Sequence, residues 1–257
     1  MAGRMGTSAY VQVIPVTGLP EIVDGDDIGY LILKRCIEAG IEIVDGCIVV
    51  VAQKVVSKAE GAVRKISAQK PGQQALQLAE KVGKDPRLIQ IILDELIRVI
   101  RAVSGVLIVE TKQGFICANA GVDQSNIEGE DIVTVLPEDS DVSARKILET
   151  VSGGSGSPIG VIVSDTFNRP WREGATNVAI GIAGLDPLYD LRGTNDDFNR
   201  TMKTSIVALA DELASAAQLV MGESGRIPAA IINGARWEQA DHSISRAMRP
   251  ADRDLFR

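Results

Sequence analysis

Four stretches of the chain set acidic, amide or hydroxyl side chains directly after apolar runs. They are "VVAQKVVSKAEG" (50–61) with Lys54, Lys58 and Glu60, "ICANAGVDQSN" (116–126) with Asn119, Asp123, Ser125 and Asn126, "VIVSDTFNRPWREG" (161–174), and "LVMGESGRIP" (219–228). In the last, Glu223 stands among Gly222, Ser224 and Gly225. Segments that leave a buried scaffold are where side chains are presented for chemistry. Among their side chains, Asp123, Asp165 and Glu223 are three hard oxygen anions. Thr166 and Asn126 add neutral oxygens, and Lys58, Arg169 and Arg172 add positive charge. Divalent cations that bridge phosphates require such a set: one or two carboxylates, and bases that neutralise developing charge. Phosphoryl transfer asks little else of a protein. The glycines beside Glu223 would let backbone amides approach a phosphate or a ribose.

Each stretch also has a plainer reading. Asp165–Thr166 after a strand suits a turn or a helix cap. Lys58 and Glu60 suit a surface ion pair worth under about 1 kcal/mol. Gly-Glu-Ser-Gly suits a loop, and Trp171 suits the core. Read from spacing alone, the sequence describes a soluble α+β protein with a divalent-metal and nucleotide site.

Composition narrows the classes. The 257 residues suffice for one large core or two closely packed ones, and 45% apolar with 24% charged residues is globular. A formal net charge of −7 argues against nucleic acid as a partner. The three cysteines, Cys36, Cys47 and Cys117, form no CxxC or zinc spacing and read as buried thiols of a reducing cytoplasm. His242 is the sole histidine, so a Ser-His-Asp triad or a His-rich metal centre is not expected. A metal would be oxygen-ligated, magnesium or manganese. No signal peptide is visible, and runs such as "CIVVVA" are too short to span a bilayer. A cytoplasmic protein without membrane contact is expected.

The elements that must position these groups follow from periodicity. Strands are expected at 10–16, 47–53, 131–135, 159–163 and 229–233, with 105–111 and 114–121 as a hairpin. Helices are expected at 28–39, capped by Asp26 or Asp27 and ended by Gly40, and at 72–83, 86–102, 140–151 and 204–221. The 86–102 helix rests on the stripe Leu88, Ile92, Leu96 and Val99. Residues 54–61 read as a basic turn, 153–158 as a flexible turn without a phosphate role, and the tail from Gly234 as partly irregular. Hairpins mixed with helical crossovers favour α+β with mixed sheets over a doubly wound fold. No Walker A motif and no Rossmann fingerprint is present, so neither a P-loop nor a Rossmann protein is expected.

Seven ordered blocks then carry a resemblance: "GLPEIVDGDD", "VVAQKVVSKAEG", "CANAGVDQSN", "LPEDSDVSARKI", "VIVSDTFNRPWREG", "VAIGIAGL" and "ADELASAAQLVMGE". Together, from about Val13 to the C-terminus, the chain closely resembles the coenzyme F420-0:γ-glutamyl ligase family. The resemblance implies that family's α+β fold in a single catalytic unit, 1–257, with two packed α+β subdomains as an alternative. It implies a homodimer that uses GTP to add L-glutamate to the lactyl-phosphate carboxylate of the deazaflavin coenzyme, then a further γ-linked glutamate. It also implies manganese or magnesium at two sites, with potassium as activator. Carried over residue by residue, the first metal site falls on Asp123 and Asp165, and the second on Thr166 and Glu223. GTP contacts fall on Leu19, Pro20, Glu21, Ile22, Gln53, Lys54, Lys58 and Asn126, and on Met221, Gly222, Glu223, Ser224, Gly225, Arg226 and Ile227. Lys58 is the candidate for phosphate neutralisation, and Arg169 and Arg172 for substrate anions.

Departures from the family pattern are local. Asn168 stands where the family usually has glycine, and asparagine tolerates a left-handed backbone. The loop after Glu223 is one residue shorter than in archaeal members and carries Arg226. Gln53 and Lys54 replace small hydroxyl residues found in some relatives. Some relatives add a C-terminal flavin-binding reductase domain, and that activity is not expected of a chain ending at Arg257.

Overall fold

Ile48–Ala52 is apolar throughout, and its first four residues are buried. Such a run needs cover on both faces and partners on both edges. It finds them at the centre of a five-stranded sheet. The computed structural model describes residues 4–5, 10–125, 129–155 and 158–254. In chain order the elements are β1 (Arg4–Met5), β2 (Gln12–Pro15), α1 (Ile28–Ala39), β3 (Ile48–Ala52), α2 (Gln53–Ala59), β4 (Val63–Lys65), α3 (Gln73–Val82) and α4 (Pro86–Asp94). Next come β5 (Leu96–Val103), β6 (Val106–Thr111), β7 (Ile116–Ala118), β8 (Ile132–Thr134), α5 (Ser140–Ser155), β9 (Gly160–Asn168) and β10 (Ala175–Ala183). The chain closes with β11 (Tyr189–Asp190), β12 (Ile206–Val207), α6 (Leu209–Met221), β13 (Ala229–Asn233) and β14 (Trp237–Glu238).

The central sheet runs β10-β9-β3-β13-β2. Only β3 and β9 are parallel, with Ala52 opposite Ser164, so both strands deliver their carboxyl ends to one edge. The remaining pairs are antiparallel. This is a mixed α+β architecture, as the sequence predicts. Helices α5 and α6 pack on β9 and β10. Each also grips β10 through a carboxylate: Asp211 accepts from the Ala179 N–H at 2.9 Å and Asp141 from the Ile182 N–H at 2.8 Å. The apolar side chains of this sheet and its helices form one large cluster. Of two smaller clusters, one lies where α3 and α4 cover β6, and the other joins Ile66 and Ile91 of α4 to Val133 of β8 and Val135.

Several local expectations change. Residues 53–59 form a helix, α2, rather than a basic turn. The 86–102 helix ends at Asp94, and Leu96–Val103 is a strand paired with β6. Leu96 and Val99 extend the helical stripe by coincidence, since the segment Ile97–Val103, rich in β-branched residues, finds its hydrogen-bond partners across the hairpin. Helix α5 continues through Ser155, into the expected turn. Helix α6 begins at Leu209, because Ile206–Val207 pairs with Tyr189–Asp190. Strand β9 continues through Ser164–Asn168, so Asp165 and Thr166 belong to a strand rather than to a turn or cap. Asn168 pairs with Ala175 and is not left-handed; the positive φ falls on Trp171, which is 86% exposed rather than core. The tail carries short 3₁₀ turns and the strand β14, with Trp237 buried and its indole N–H donated to the Gly46 carbonyl at 2.7 Å.

Other expectations hold. Asp27 caps α1 by accepting from the Tyr30 N–H, and α1 ends at Ala39. The 105–121 hairpin forms. All three cysteines are buried and unpaired, and burial pushes the Cys47 and Cys117 thiols up to about 12. Among the described residues no helix is long and apolar enough to cross a membrane.

Candidate active site

The edge where β3 and β9 end is the place to look for a ligand, as in other sheets with parallel strands. Past Ala52 the chain turns straight into α2 with Gln53 and Lys54, and past Ser164 the strand continues into Asp165 and Thr166. Adjacent strand residues face opposite sides of a sheet. Asp165 and Thr166 therefore serve two different groups of partners.

Asp165 is partly buried and lies within electrostatic reach of Asp123, Lys54 and Glu223. Burial pushes its carboxyl up to about 7; the Asp123 and Glu223 charges add to the rise, while the Thr166 N–H and Lys54 oppose it. Asp123 behaves in the opposite way. Burial alone would raise it, but Lys54 and Ser125 outweigh that and hold its carboxyl below the usual range. The Lys54 ammonium sits 2.7 Å from Asp123 and 2.5 Å from the Ser125 hydroxyl, and the Ser125 N–H donates to Asp123 at 2.7 Å. Two neighbouring carboxylates thus differ in proton affinity, a pattern typical of functional sites.

Thr166 is exposed and stands opposite Asn177 on β10. Its hydroxyl donates to the Asn177 amide oxygen at 2.8 Å. The Asn177 amide NH₂ donates to Gln218 of α6 at 2.9 Å, and the Gln218 NH₂ donates to Glu223 at 2.5 Å. Thr166 and Glu223 are thereby joined through two amides.

Lys58 reaches Glu21 at 2.5 Å, which ties α2 to the loop after β2. That loop holds Leu19, Pro20 and Glu21 near the surface and buries Ile22 in the core. Gln53 is 2% exposed, and its amide donates to Ser57 and the Val135 carbonyl, so a ligand could meet only its backbone. Met221 is likewise buried. Gly222, Glu223, Ser224, Gly225 and Arg226 are exposed, and Ile227 is partly so. Arg169 donates to the Glu173 and Gly174 carbonyls of its own hairpin tip, and Arg172 is exposed. Asn126 lies outside the described residues.

The oxygen donors do not gather into one cage. Among the described residues no three acidic, imidazole or thiol groups converge on one point. Asp123 and Asp165 lie within electrostatic reach of each other, and Thr166 is linked to Glu223 only through Asn177 and Gln218. A cavity of about 290 Å³ lined by Ile66, Asp85, Arg87, Leu88, Gln124, Glu130 and Asp131 includes none of these residues.

Sequence reasoning missed Asn177, Gln218 and Lys84. Asn177 is the one polar side chain in a buried stretch of β10, a signal in itself, but its pairing with Thr166 needs the strand register. Lys84 donates to Asn119 at 2.6 Å, a link between two segments 35 residues apart.

These features define an α+β protein with a carboxylate and lysine cluster at the carboxyl edge of a mixed sheet. The chain belongs to the F420-0:gamma-glutamyl ligase family, whose profile matches residues 18–234. It is 45% identical over 250 residues to the coenzyme F420:L-glutamate ligase of Methanothermobacter thermautotrophicus, covering 96% of this chain and 99% of that one. The enzyme of the same name from Methanopyrus kandleri is 40% identical over 98% of this chain and 100% of its own. That from Methanocaldococcus jannaschii is 44% identical over 83% and 85%.

Proposed function

We propose that this chain is a GTP-dependent ligase that joins L-glutamate to coenzyme F420-0, GDP-forming, and extends the product with further γ-linked glutamate. The observation that carries the reading is the grouping of Asp123, Asp165 and Lys54 at the carboxyl edge of the sheet, in a chain of this family. Asp123 and Asp165 would hold one manganese or magnesium ion, and Thr166 and Glu223 the other. The bound ions would draw charge off the nucleotide phosphates.

The chain's own residues supply the rest. The loop from Leu19 to Ile22, the start of α2 and the segment Met221–Ile227 border the nucleotide. Lys58, steadied by Glu21, neutralises phosphate charge, and Lys54 keeps Asp123 ionised. A carboxylate oxygen of the substrate attacks the γ-phosphorus, and GDP departs with the bridging oxygen. The glutamate amine then attacks the acyl-phosphate carbonyl, and inorganic phosphate leaves with the bond electrons and takes up the proton the amine loses, giving an amide. Arg172 and the remaining N–H groups of Arg169 are placed on the substrate's phosphodiester or the glutamate carboxylates. The reading includes potassium as activator, a homodimer and a cytoplasmic setting, with no nucleic acid or membrane partner.

Incubation with GTP, glutamate and coenzyme F420-0 should add one or more glutamyl masses to the coenzyme. GTP turnover only with a different carboxylate acceptor would assign the chain to another amide ligase or phosphotransferase. Asp165→Asn should lower turnover by at least a hundredfold at saturating manganese; unchanged turnover would remove Asp165 from the metal site.

A further inference from the structure

Arg35 of α1 rests against the loop that follows β2. Its Nε–H donates to the Thr17 carbonyl at 3.1 Å, and its Nη1 pairs with the Glu38 carboxylate three residues further along the helix. The planar guanidinium presents its donors in a rigid fork, so it holds a carbonyl and a carboxylate at one fixed angle. A β-carbon built on Gly18 would lie 2.7 Å from Nη2 and 3.1 Å from Cζ of Arg35, so the guanidinium fills the space a side chain would take there. Gly18 also has φ 75°, a left-handed backbone that glycine adopts without steric cost.

The loop so braced borders the candidate site. Its two ends are anchored by Val16 and Ile22, both buried. Between them Arg35 holds Thr17 and Gly18, and Lys58 holds Glu21 at 2.5 Å. Lys54 and Lys58 stand four residues apart on α2 and are neighbours on one face of it. Lys54 in turn lies 2.7 Å from Asp123, so Glu21 is tied one helical turn from the Asp123 carboxylate. An exposed loop that must be ordered by its ligand loses affinity to that ordering, and a brace in the free protein removes the loss. We infer that Arg35 is a positioning residue for the nucleotide: oriented by Glu38, it shapes the Thr17–Glu21 loop before the nucleotide arrives. The inference rests on the GTP reading given above for this loop and for Lys58.

The test is titration of the whole chain with a fluorescent GTP analogue in the presence of manganese, joined to ligation rates at varied GTP and varied glutamate. Arg35→Met keeps the apolar stem and removes the fork. It should weaken the analogue about tenfold and raise KM for GTP to match. Its kcat and its KM for glutamate should change by less than about twofold, the pattern of lost ground-state binding. Gly18→Ala displaces the same guanidinium and should act in the same direction. The double variant should lose less than the product of the two single losses, because both remove one contact. Full multiplication of those losses would overturn the contact as the cause. Lys58→Met separates the two readings. If it weakens the analogue while Arg35→Met matches the unaltered protein, the positioning role is wrong. A fall in kcat with both KM values raised alike and a lowered melting temperature would make Arg35 a general stability residue and also overturn it. If Lys58→Met and Arg35→Met both leave analogue binding unchanged, the nucleotide reading of the loop fails, and the inference falls with it.

Discussion

Gly222 stands at φ 62° and ψ −172°, a backbone region open essentially to glycine alone. It ends α6 and swings the chain so that Glu223 meets Gln218. No atom lies within 4 Å of a β-carbon built there, so alanine would meet no clash and would bear only the backbone strain. Gly222→Ala should therefore cost about 1–3 kcal/mol or reshape the loop. In either case Glu223 moves, and the manganese concentration for half-maximal ligation should rise several-fold; a superimposable manganese titration would show that the loop tolerates the change. Asp211 offers a residue-scale test by pH. Burial raises its carboxyl above the ordinary range, while the Ala179 N–H bond only partly opposes this. The folded chain thus binds the proton more tightly than the unfolded chain. The stabilisation is full below the unfolded pKa, near ~4, and is lost as pH rises through the higher folded value. Asp211→Asn keeps the acceptor and removes the charge. Its melting temperature relative to the unaltered protein should climb between pH 3 and pH 7, and a constant difference across that range would contradict the sign.

At the scale of elements, the approach to Asp123 is the most strained segment. Asn119, Ala120 and Gly121 have φ of 54°, 57° and 70°, three left-handed residues in a row. For the non-glycine members this costs roughly 1–2 kcal/mol each, so something must hold the turn. Lys84, between α3 and α4, donates to Asn119, and Asp123 itself exchanges backbone bonds with Thr134 at 3.1 and 2.9 Å. Lys84→Met should remove a charge-assisted bond of about 1.5–3 kcal/mol and raise amide exchange across 119–123 about tenfold or more. Unaltered exchange would assign the turn's stability to Thr134 alone. The sequence makes this scale only partly legible. Asp27, Gly40 and the apolar run of β3 announce their elements through local chemistry. The strand β5 hides, because Leu96 and Val99 fall on a helical stripe and only pairing with β6 decides otherwise. The candidate site divides in the same way. Asp123, Asp165 and Glu223 are visible because each follows an apolar run. Asn177 and Gln218 are not, because their roles come from cross-strand register and from helix packing, which no local pattern encodes.

At the scale of the whole molecule, the site gathers segments around residues 21, 54, 123, 165 and 223, which only the folded sheet brings together. The first turn of α5 fastens one edge strand of that sheet. Asp141 accepts from the Ile182 N–H of β10 at 2.8 Å and from the Ile244 N–H of the tail at 3.1 Å, so helix, sheet and C-terminal segment share one carboxylate. The approach is close because β10 carries glycine there. A β-carbon on Gly181 would lie 2.2 Å from the Ser140 carbonyl oxygen, which is backbone and cannot rotate away. The pairing with β9 also slips between Ala179 and Gly181, only a few residues from Asn177. A methyl group at this point must push α5 off the sheet or shift β10. Overpacking of this kind costs about 1–3 kcal/mol. With roughly 2–4 °C per kcal/mol for a chain of this size, Gly181→Ala should lower the melting temperature by about 2–12 °C. If β10 shifts, Thr166 loses its register with Asn177, and the manganese binding proposed for Thr166 weakens along with stability. If α5 lifts instead, stability falls while the manganese titration is unchanged. Thermal unfolding and manganese binding on the same preparation separate the two routes, and an unchanged melting temperature would mean that α5 does not clamp the sheet.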